Sequence, residues 1–547
     1  MTLHPRFICD VPEETLRVAK AAFRRGNRSM HMRDELGTVF TDEQFADLFP
    51  PVGQPAEAPW RLALVTVLQF AENLTDRQAA DAVRGRIDWK YALSLELTDE
   101  GFDFSVLSEF RSRLVTNGAE GRLFQIMLTQ FEERGLLKAR GKQRTDSTHI
   151  LAAIRQLNQL ELVHESLRYA LNQLALEAPD WLKRRVNADW FDGYSQRTSN
   201  YLLPKKENER QTWGERVGRD GFFLLEQIYD DGHHPELVEI PAVDILRRVG
   251  LQNFYQDDGH VRLREQKDQP PSAQRITSPY DLEARYSTKR EISWTGYKLH
   301  LTETCDAALP HLIINVETRP STEPDHAVTD LVHDHLAQTG CLPAEHFVDQ
   351  GYMSVEQLIR AHEKHGIELM GSVPDDTSWQ ARQLGYDSPQ FTIDWDNQRA
   401  ICPQGHLSCS WSLAKTRSQR PVVKIKFRHT DCSVCPAITL CTDNHEKRRT
   451  LTVLFPQAHF EAQQLARQRQ QTTDFKDAYA TRAGVEGTIS QATCALSARR
   501  SRYRGMTKTH FQHLVTAAAI NLLRVLDWLN GVSPSMTPKS HFARLAA

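Results

Sequence analysis

The chain has 547 residues, a formal net charge of −3, 40% hydrophobic and 25% charged residues. That length is too great for one hydrophobic core and predicts about three or four domains, and that composition excludes a wholly disordered chain. A near-neutral total excludes a globally basic nucleic-acid binder and predicts poor solubility, so any DNA contact must come from local patches.

The start, Met1-Thr2-Leu3-His4-Pro5-Arg6, lacks the apolar core of a signal peptide. Residues 1–50 read as a helical segment with basic residues at Arg24, Arg25, Arg28 and Arg33. Prolines at 50, 51, 55 and 59 read as a linker. A helical region over 60–140 follows. Thr75 and Gln78 form a capping box, Arg84-Gly85-Arg86 makes a turn, and a later helix carries Phe110, Arg111, Arg113 and Leu114. This is the outline of a DNA-binding helix-turn-helix, although an ordinary helical bundle shares it.

A strand-like run over 141–150 ends the region. Residues 151–280 read as a helical lobe, with leucines at 157, 160, 162, 167 and 171, and then an exposed loop over 257–279. Segments 293–302 and 311–317 read as paired antiparallel strands. From 311 to 373 the pattern is strand, helix, strand, helix, strand, which predicts parallel pairing with right-handed crossovers. A second capping box is expected at Ser354 and Gln357, and Gly366 stops that helix. Residues 376–455 form a cysteine-rich β segment, residues 456–530 are helical, and 531–547 read as a flexible tail. The most apolar helix, Leu514 to Leu529, contains Asn521, Arg524 and Asp527, which argues against a membrane span.

Three acids stand out. Asp146 lies in Thr145-Asp146-Ser147-Thr148-His149 and Asp349 in Val348-Asp349-Gln350-Gly351-Tyr352, each reading as the close of a short strand. Glu486 lies in a helix with Tyr479 and Arg482, and Arg482 and Glu486 share one face as i and i+4. Alone, each acid serves equally as a turn former, a helix cap or a solvated face. Three acids on separate elements beside a cationic strip match what a two-metal phosphodiester-cleaving site needs. The strip is Arg499, Arg500, Arg502, Arg504, Lys508 and His510, interleaved with Tyr503, a candidate stacking partner for DNA. Lys298 and His300 alternate with Tyr297 and Leu299, so both point to one sheet face, either toward DNA or simply to solvent.

With these elements, the sequence resembles the DDE transposases of bacterial insertion sequences, in the branch with a Tyr-Arg-Glu-Lys signature. The motifs that carry the resemblance are Asp146 to His149, Gly296 to His300, Val348 to Tyr352 and the Tyr479/Arg482/Glu486 helix. It implies an α/β fold with an RNase H-like catalytic core over 141–150 and 281–375. The helical lobe and the cysteine-rich β lobe would be inserted into that core. It also implies two Mg²⁺ or Mn²⁺ ions held by Asp146, Asp349 and Glu486, cleavage and joining at the element's own terminal inverted repeats, double-stranded element and target DNA as partners, and a homodimer on that DNA. DNA contacts then fall to Tyr479, Arg482, Arg499, Arg500, Arg502, Arg504, Lys508, Lys298 and His300.

Two departures stand beside it. The signature expects Lys or Arg seven residues after the glutamate, where this chain has Thr493, leaving Arg499 or Arg500 to supply the charge. The long helical segment between Asp146 and Tyr297 makes Asp281 a rival first carboxylate. Two further readings remain open: an RNase H-like nuclease that cuts without joining, and an inactive DNA-binding repressor descended from a transposase.

Nine cysteines, clustered rather than spread, point to a reducing, cytoplasmic setting. Cys402, Cys432, Cys435 and Cys441, with Cys409 or His406 as substitute, have ligand types that can close a structural tetrahedral zinc site; reduced, buried thiols are the alternative. Around them Lys415, Arg417, Arg420, Lys424, Lys426 and Arg428 partly alternate with Val423, Ile425 and Phe427, which predicts a strand with one cationic face turned toward DNA.

Overall fold

A six-stranded mixed sheet organises the protein. The computed structural model describes residues 2–545 other than 4, 6–9, 200, 202, 384, 444–447, 533–541, 543 and 544. The strands are β1 (Lys142–Leu151), β2 (Arg285–Lys289), β3 (Ile292–Thr304), β4 (Ile313–Pro320), β5 (Glu345–Val348) and β6 (Glu368–Met370). Most of the tail expected at 531–547, and part of the first ten residues, lies outside the described residues.

One edge of β3 pairs antiparallel with β1; its other edge pairs antiparallel with β2 and then with β4. On the far side of β1, β5 and then β6 run parallel. This corrects the expected run of parallel strands over 311–373. β4 pairs antiparallel with β3, and β1, from far upstream, lies between β3 and β5. Local periodicity identifies strands but not their partners: within 311–373 β5 and β6 pair in parallel, while β4 keeps the antiparallel pairing with β3 that its sequence also suggests. Asp146 also sits inside β1 rather than at its close, because the strand continues to Leu151.

A long buried helix, Met506–Leu529, packs against β4 and the helix Pro59–Ala71. Its Asn521 satisfies the backbone of Ile313, accepting its N–H at 2.8 Å and donating to its carbonyl at 2.7 Å. Among the described residues no helix is long and apolar enough to cross a membrane.

One core runs from Met32, Phe45 and Leu48 through Trp60, Leu64, Phe110 and Phe131 to Leu299, Ile314 and Phe511. The proline-rich stretch at 50–59 is therefore not a linker between separate cores, since residues on both sides of it share this one. The prolines interrupt the chain between helices without parting the layers, and Pro59 opens the next helix; Asp42 accepts the Trp60 N–H at 3.2 Å across the stretch.

The capping box at Thr75 and Gln78 forms. The last helix of the helix-turn-helix outline, Phe104–Thr116, turns its cations inward. Arg111 is buried and donates to Asp76 at 2.5 Å, and Arg113 lies 5.0 Å from the Phe49 ring. Its exposed positions, Ser105, Ser108, Glu109, Ser112 and Thr116, carry no positive charge to meet a phosphate. At Ser354 only half the capping box forms: its hydroxyl accepts from the Gln357 N–H, while the Gln357 side chain donates to His326 instead.

Between β1 and β2, helices including Gln159–Glu177, Glu207–Tyr229 and Pro241–Asn253 enclose their own core of Leu162, Leu167, Trp181, Trp190, Leu224 and Ile245. The loop expected at 257–279 begins with a hairpin, Phe254–Asp257 against His260–Leu263. Asp258 and Gly259 turn it with φ of 45° and 76°. After β6 come two short strands, β7 (Thr392–Asp394) and β8 (Arg399–Ile401), and an antiparallel sheet of β9 (Ser408–Lys415), β10 (Pro421–Phe427) and β11 (Thr450–Leu454). Val423, Ile425 and Phe427 face a small core there, whereas Lys424 and Lys426 lie on the opposite face of β10.

Candidate active site

The sheet register builds the site first. β1 and β5 are parallel with Thr145 opposite Val348, so the next residue in each chain, Asp146 and Asp349, comes to the same level on neighbouring strands. Adjacent strands lie about 4.8 Å apart, which brings two carboxylates together that are distant in sequence. The third acid arrives on a broken helix. Thr473–Ala480 is α-helical, Thr481–Gly484 tightens to 3₁₀, and Val485–Ser490 resumes with Glu486 in its first turn.

Arg482 joins the three. Its Nη2 donates to Asp146 Oδ2 at 3.1 Å and lies 3.7 Å from Asp349 Oδ1; its Nη1 lies 3.7 Å from Glu486 Oε1. The Asp146 side chain is 18% exposed, against 51% for Asp349 and 70% for Glu486, so the cluster opens to solvent on its Asp349 and Glu486 side. Burial holds the Asp146 carboxyl above its ordinary range and the neighbouring Asp349 charge adds to this; the Ser147 N–H and Arg482 oppose both. One guanidinium faces three carboxylates, so the cluster is short of positive charge.

That shortage is the test of fit for divalent cations. The donors are hard oxygens from three elements, of the kind magnesium and manganese take. They converge on the guanidinium rather than on one another: among the described residues no group of three or more His, Cys, Asp or Glu is arranged to hold a metal ion.

Tyr479 ties the helix to the sheet, its hydroxyl donating to the Val348 carbonyl at 3.1 Å, one residue before Asp349. Gly484 is required by close approach, because a Cβ there would collide with the Arg144 guanidinium. Asp281, the rival acid, is buried elsewhere. It accepts the Tyr297 hydroxyl at 2.7 Å and the Gly505 N–H at 3.1 Å, and it is not among the acids around Arg482.

The basic residues divide. Lys298 and His300 do not lie on an open strand face, which corrects their expected DNA role. Lys298 pairs with Asp325 at 2.9 Å, and His300 is buried and shares a 2.6 Å hydrogen bond with the Tyr352 hydroxyl. Asp325 from the loop after β4 and Tyr352 from the turn after Asp349 cover that face. Arg499 reaches β1 just beyond Asp146, donating to the Thr148 hydroxyl at 2.7 Å and the His149 carbonyl at 2.6 Å. Arg502 is held by the Leu74 carbonyl and Asn73, 4.6 Å from the Phe70 ring. Tyr503 packs against the core instead of standing free to stack. Arg500, Arg504 and Lys508 are exposed. Thr493 is buried and donates to the Ile489 carbonyl.

Sequence reasoning missed Arg144, Glu303, Thr488 and Arg524, which pack beneath the Glu486 helix. Their signal is a charge inside an otherwise apolar element, as at Glu303 and Arg524.

Cys402, Cys432, Cys435 and Cys441 line one small cavity with His406, whose backbone N–H donates to Cys402 Sγ at 3.3 Å. Burial pushes the Cys432 thiol up, and Cys441 up to about 11. Cys409 is exposed on β9 and does not line that cavity.

Residues 401–526 match the family described as Transposase DDE domain, and residues 20–113 match the family described as Transposase domain (DUF772). A search of curated proteins and a search of solved structures each return no match.

Proposed function

Two matched regions support a DDE transposase of the insertion-sequence type, and from that premise we propose that this chain cleaves and joins DNA at the ends of its own element. The observation that carries the proposal is the meeting of Asp146, Asp349 and Glu486, from two strands and a helix, around Arg482. The sheet order supports an RNase H-like core: an antiparallel set joined through β1 to two parallel strands. In this reading the helical segment after β1 and the cysteine-rich segment after β6 are lobes inserted into that core.

The three carboxylates would hold two magnesium or manganese ions, which supply activation of a water or a DNA 3′-hydroxyl and neutralise charge on the leaving oxygen. The chain's own residues set the stage. Asp146 and Asp349 are fixed in level by backbone pairing. Tyr479 fixes the helix that presents Glu486. Arg482 holds the carboxylates against their mutual repulsion and, being a planar fork, also suits a substrate phosphate. Arg500, Arg504 and Lys508 are exposed to meet the DNA backbone, while Arg499 braces β1. Two DNA ends in one synapse call for a homodimer on DNA. Cys402, Cys432, Cys435 and Cys441 line one cavity without being drawn together as ligands; a structural zinc would have to gather them, and is expected at about one per chain by elemental analysis after reducing preparation.

The test is Mg²⁺-dependent nicking of duplexes that carry the inverted repeats bracketing this reading frame. Asp349→Ala is expected to lower nicking by more than about 100-fold, because loss of even an outer-sphere partner costs 10- to 100-fold. Wild-type nicking rates in Asp349→Ala would end the proposal, and a wild type that binds the repeats without nicking them would favour the repressor reading. Joining of a pre-cleaved end separates a transposase from a nuclease that only cuts.

A further inference from the structure

Behind the helix that carries Glu486 lies a second carboxylate cluster, inverted in composition. Thr488 follows Glu486 by two residues, about 200° around an α-helix, so it faces inward and is 1% exposed. Its hydroxyl donates to Glu303, a fully buried carboxylate on β3. Glu303 also accepts from Arg144 Nε at 2.7 Å and from Arg524 Nη1 at 2.7 Å. Arg144 stands directly opposite Glu303 in the β1–β3 register and two residues before Asp146, on the same strand face.

Both arginines also grip the helical segment. Arg144 Nη1 donates to the Thr481 carbonyl at 2.6 Å, one residue before Arg482. Arg524 donates to the Thr488 hydroxyl at 2.6 Å and to Gln491 at 3.1 Å. The segment from Thr481 to Gln491 is thus held at three points by a network that roots in β1 and β3. A buried ion pair is weak evidence for stability, since well-packed apolar groups often serve as well. Polar groups here fix direction: each bond has one orientation, and together they set the height and rotation of the turn bearing Arg482 and Glu486 relative to Asp146.

We propose that Glu303, acting through Thr488 and the two arginines, is a positioning residue that sets Glu486 against Asp146 and thereby tunes the affinity of the acid cluster for divalent cations. The inference rests on the transposase reading and adds to it a control on metal affinity by groups that touch neither metal nor DNA.

The test pairs Thr488→Val, which keeps shape and removes the hydroxyl, with Thr488→Ser, which keeps the hydroxyl. Two readouts are taken on the full chain: Mn²⁺ binding without DNA, by electron paramagnetic resonance titration, and the Mg²⁺ concentration giving half-maximal nicking. Thr488→Val is expected to weaken Mn²⁺ binding and raise the half-maximal Mg²⁺ by about 10-fold or more, with Thr488→Ser near wild type. Unchanged metal binding in Thr488→Val overturns the inference, even if its melting temperature falls, because the network is then packing alone. Equal loss in both variants overturns it too. A wild type that binds no Mn²⁺ and nicks nothing removes the transposase reading, and this inference with it.

Discussion

Two carboxylate–guanidinium clusters flank one short helix and share its residues, yet they are built to opposite ratios. On the open side three acids face the single Arg482, and two of them are half or more exposed. On the buried side one acid, Glu303, faces Arg144 and Arg524 and is also bonded to Thr488. The same chemistry therefore does different work. The open cluster lacks positive charge and so favours added cations; the buried one has a surplus of positive charge and its carboxylate already satisfied, so it offers a cation nothing. Two positive charges beneath an acid-rich surface also lower the cost of keeping that surface ionised.

The contrast breaks most readily in stability. Glu303→Gln leaves the buried Arg144 and the partly buried Arg524 without their counter-ion and is expected to cost about 3–5 kcal/mol. Asp349→Ala removes a half-exposed acid 3.7 Å from Arg482 and is expected to change stability by less than about 1 kcal/mol. Urea unfolding of both variants measures this directly. Comparable losses would mean the two clusters are not distinct in kind.

Arg482→Ala sharpens the comparison from the open side. The guanidinium sits where the three carboxylates converge, so it competes with any added cation for their charge. Its removal is expected to tighten Mn²⁺ binding to the DNA-free protein by about tenfold, since a single charge near 4 Å is worth well over 1 kcal/mol at protein-like screening. Nicking is expected to fall in the same variant, because the arginine's planar fork also suits a substrate phosphate. Unchanged Mn²⁺ affinity would show that Arg482 does not contest the cation position.

The open cluster was legible in the sequence because its parts sit in short, locally distinctive motifs. Aspartates beside strand-like runs and an Arg-x3-Glu spacing on a helix can be read without knowing partners. The sheet order was not legible in the same way. The compact apolar run over 311–317 marks β4 as a strand, but nothing local says that β1 lies between β3 and β5. The basic residues misled for a related reason. Lys298 and His300 alternate as a surface pair would, yet tertiary partners, Asp325 and Tyr352, draw them inside. The buried cluster is the hardest case, because Arg144, Glu303, Thr488 and Arg524 come from four elements and acquire meaning only in the fold. The hairpin at Asp258-Gly259 has a local signal in its turn pair, but the polar, proline-rich composition around it reads as a loop.

The smallest expected effect tests how firmly the layer behind the open cluster is sealed. His300 lies opposite Ser147 in the β1–β3 register, next to Asp146 in sequence. Burial lowers it to about 4; Asp325, Glu317 and Glu323 pull upward and Lys298 pulls further down, and burial prevails. The sign follows from linkage. The unfolded chain takes up this proton near pH 6.5 and the folded chain only near 4, so the contribution to stability is flat above pH 6.5 and is lost as pH falls toward 4. At pH 6 the loss from His300 alone is about 1 kcal/mol. Other buried histidines, such as His333 and His513, titrate in the same direction, so wild type alone does not isolate the term. The comparison of interest is the change in unfolding free energy between pH 7.5 and 6 in wild type and in His300→Gln. The variant should lose about 1 kcal/mol less than wild type over that interval, whatever its absolute stability. Identical losses would mean that water or the Asp325 side reaches the ring, and that the layer behind Asp146 is open rather than sealed.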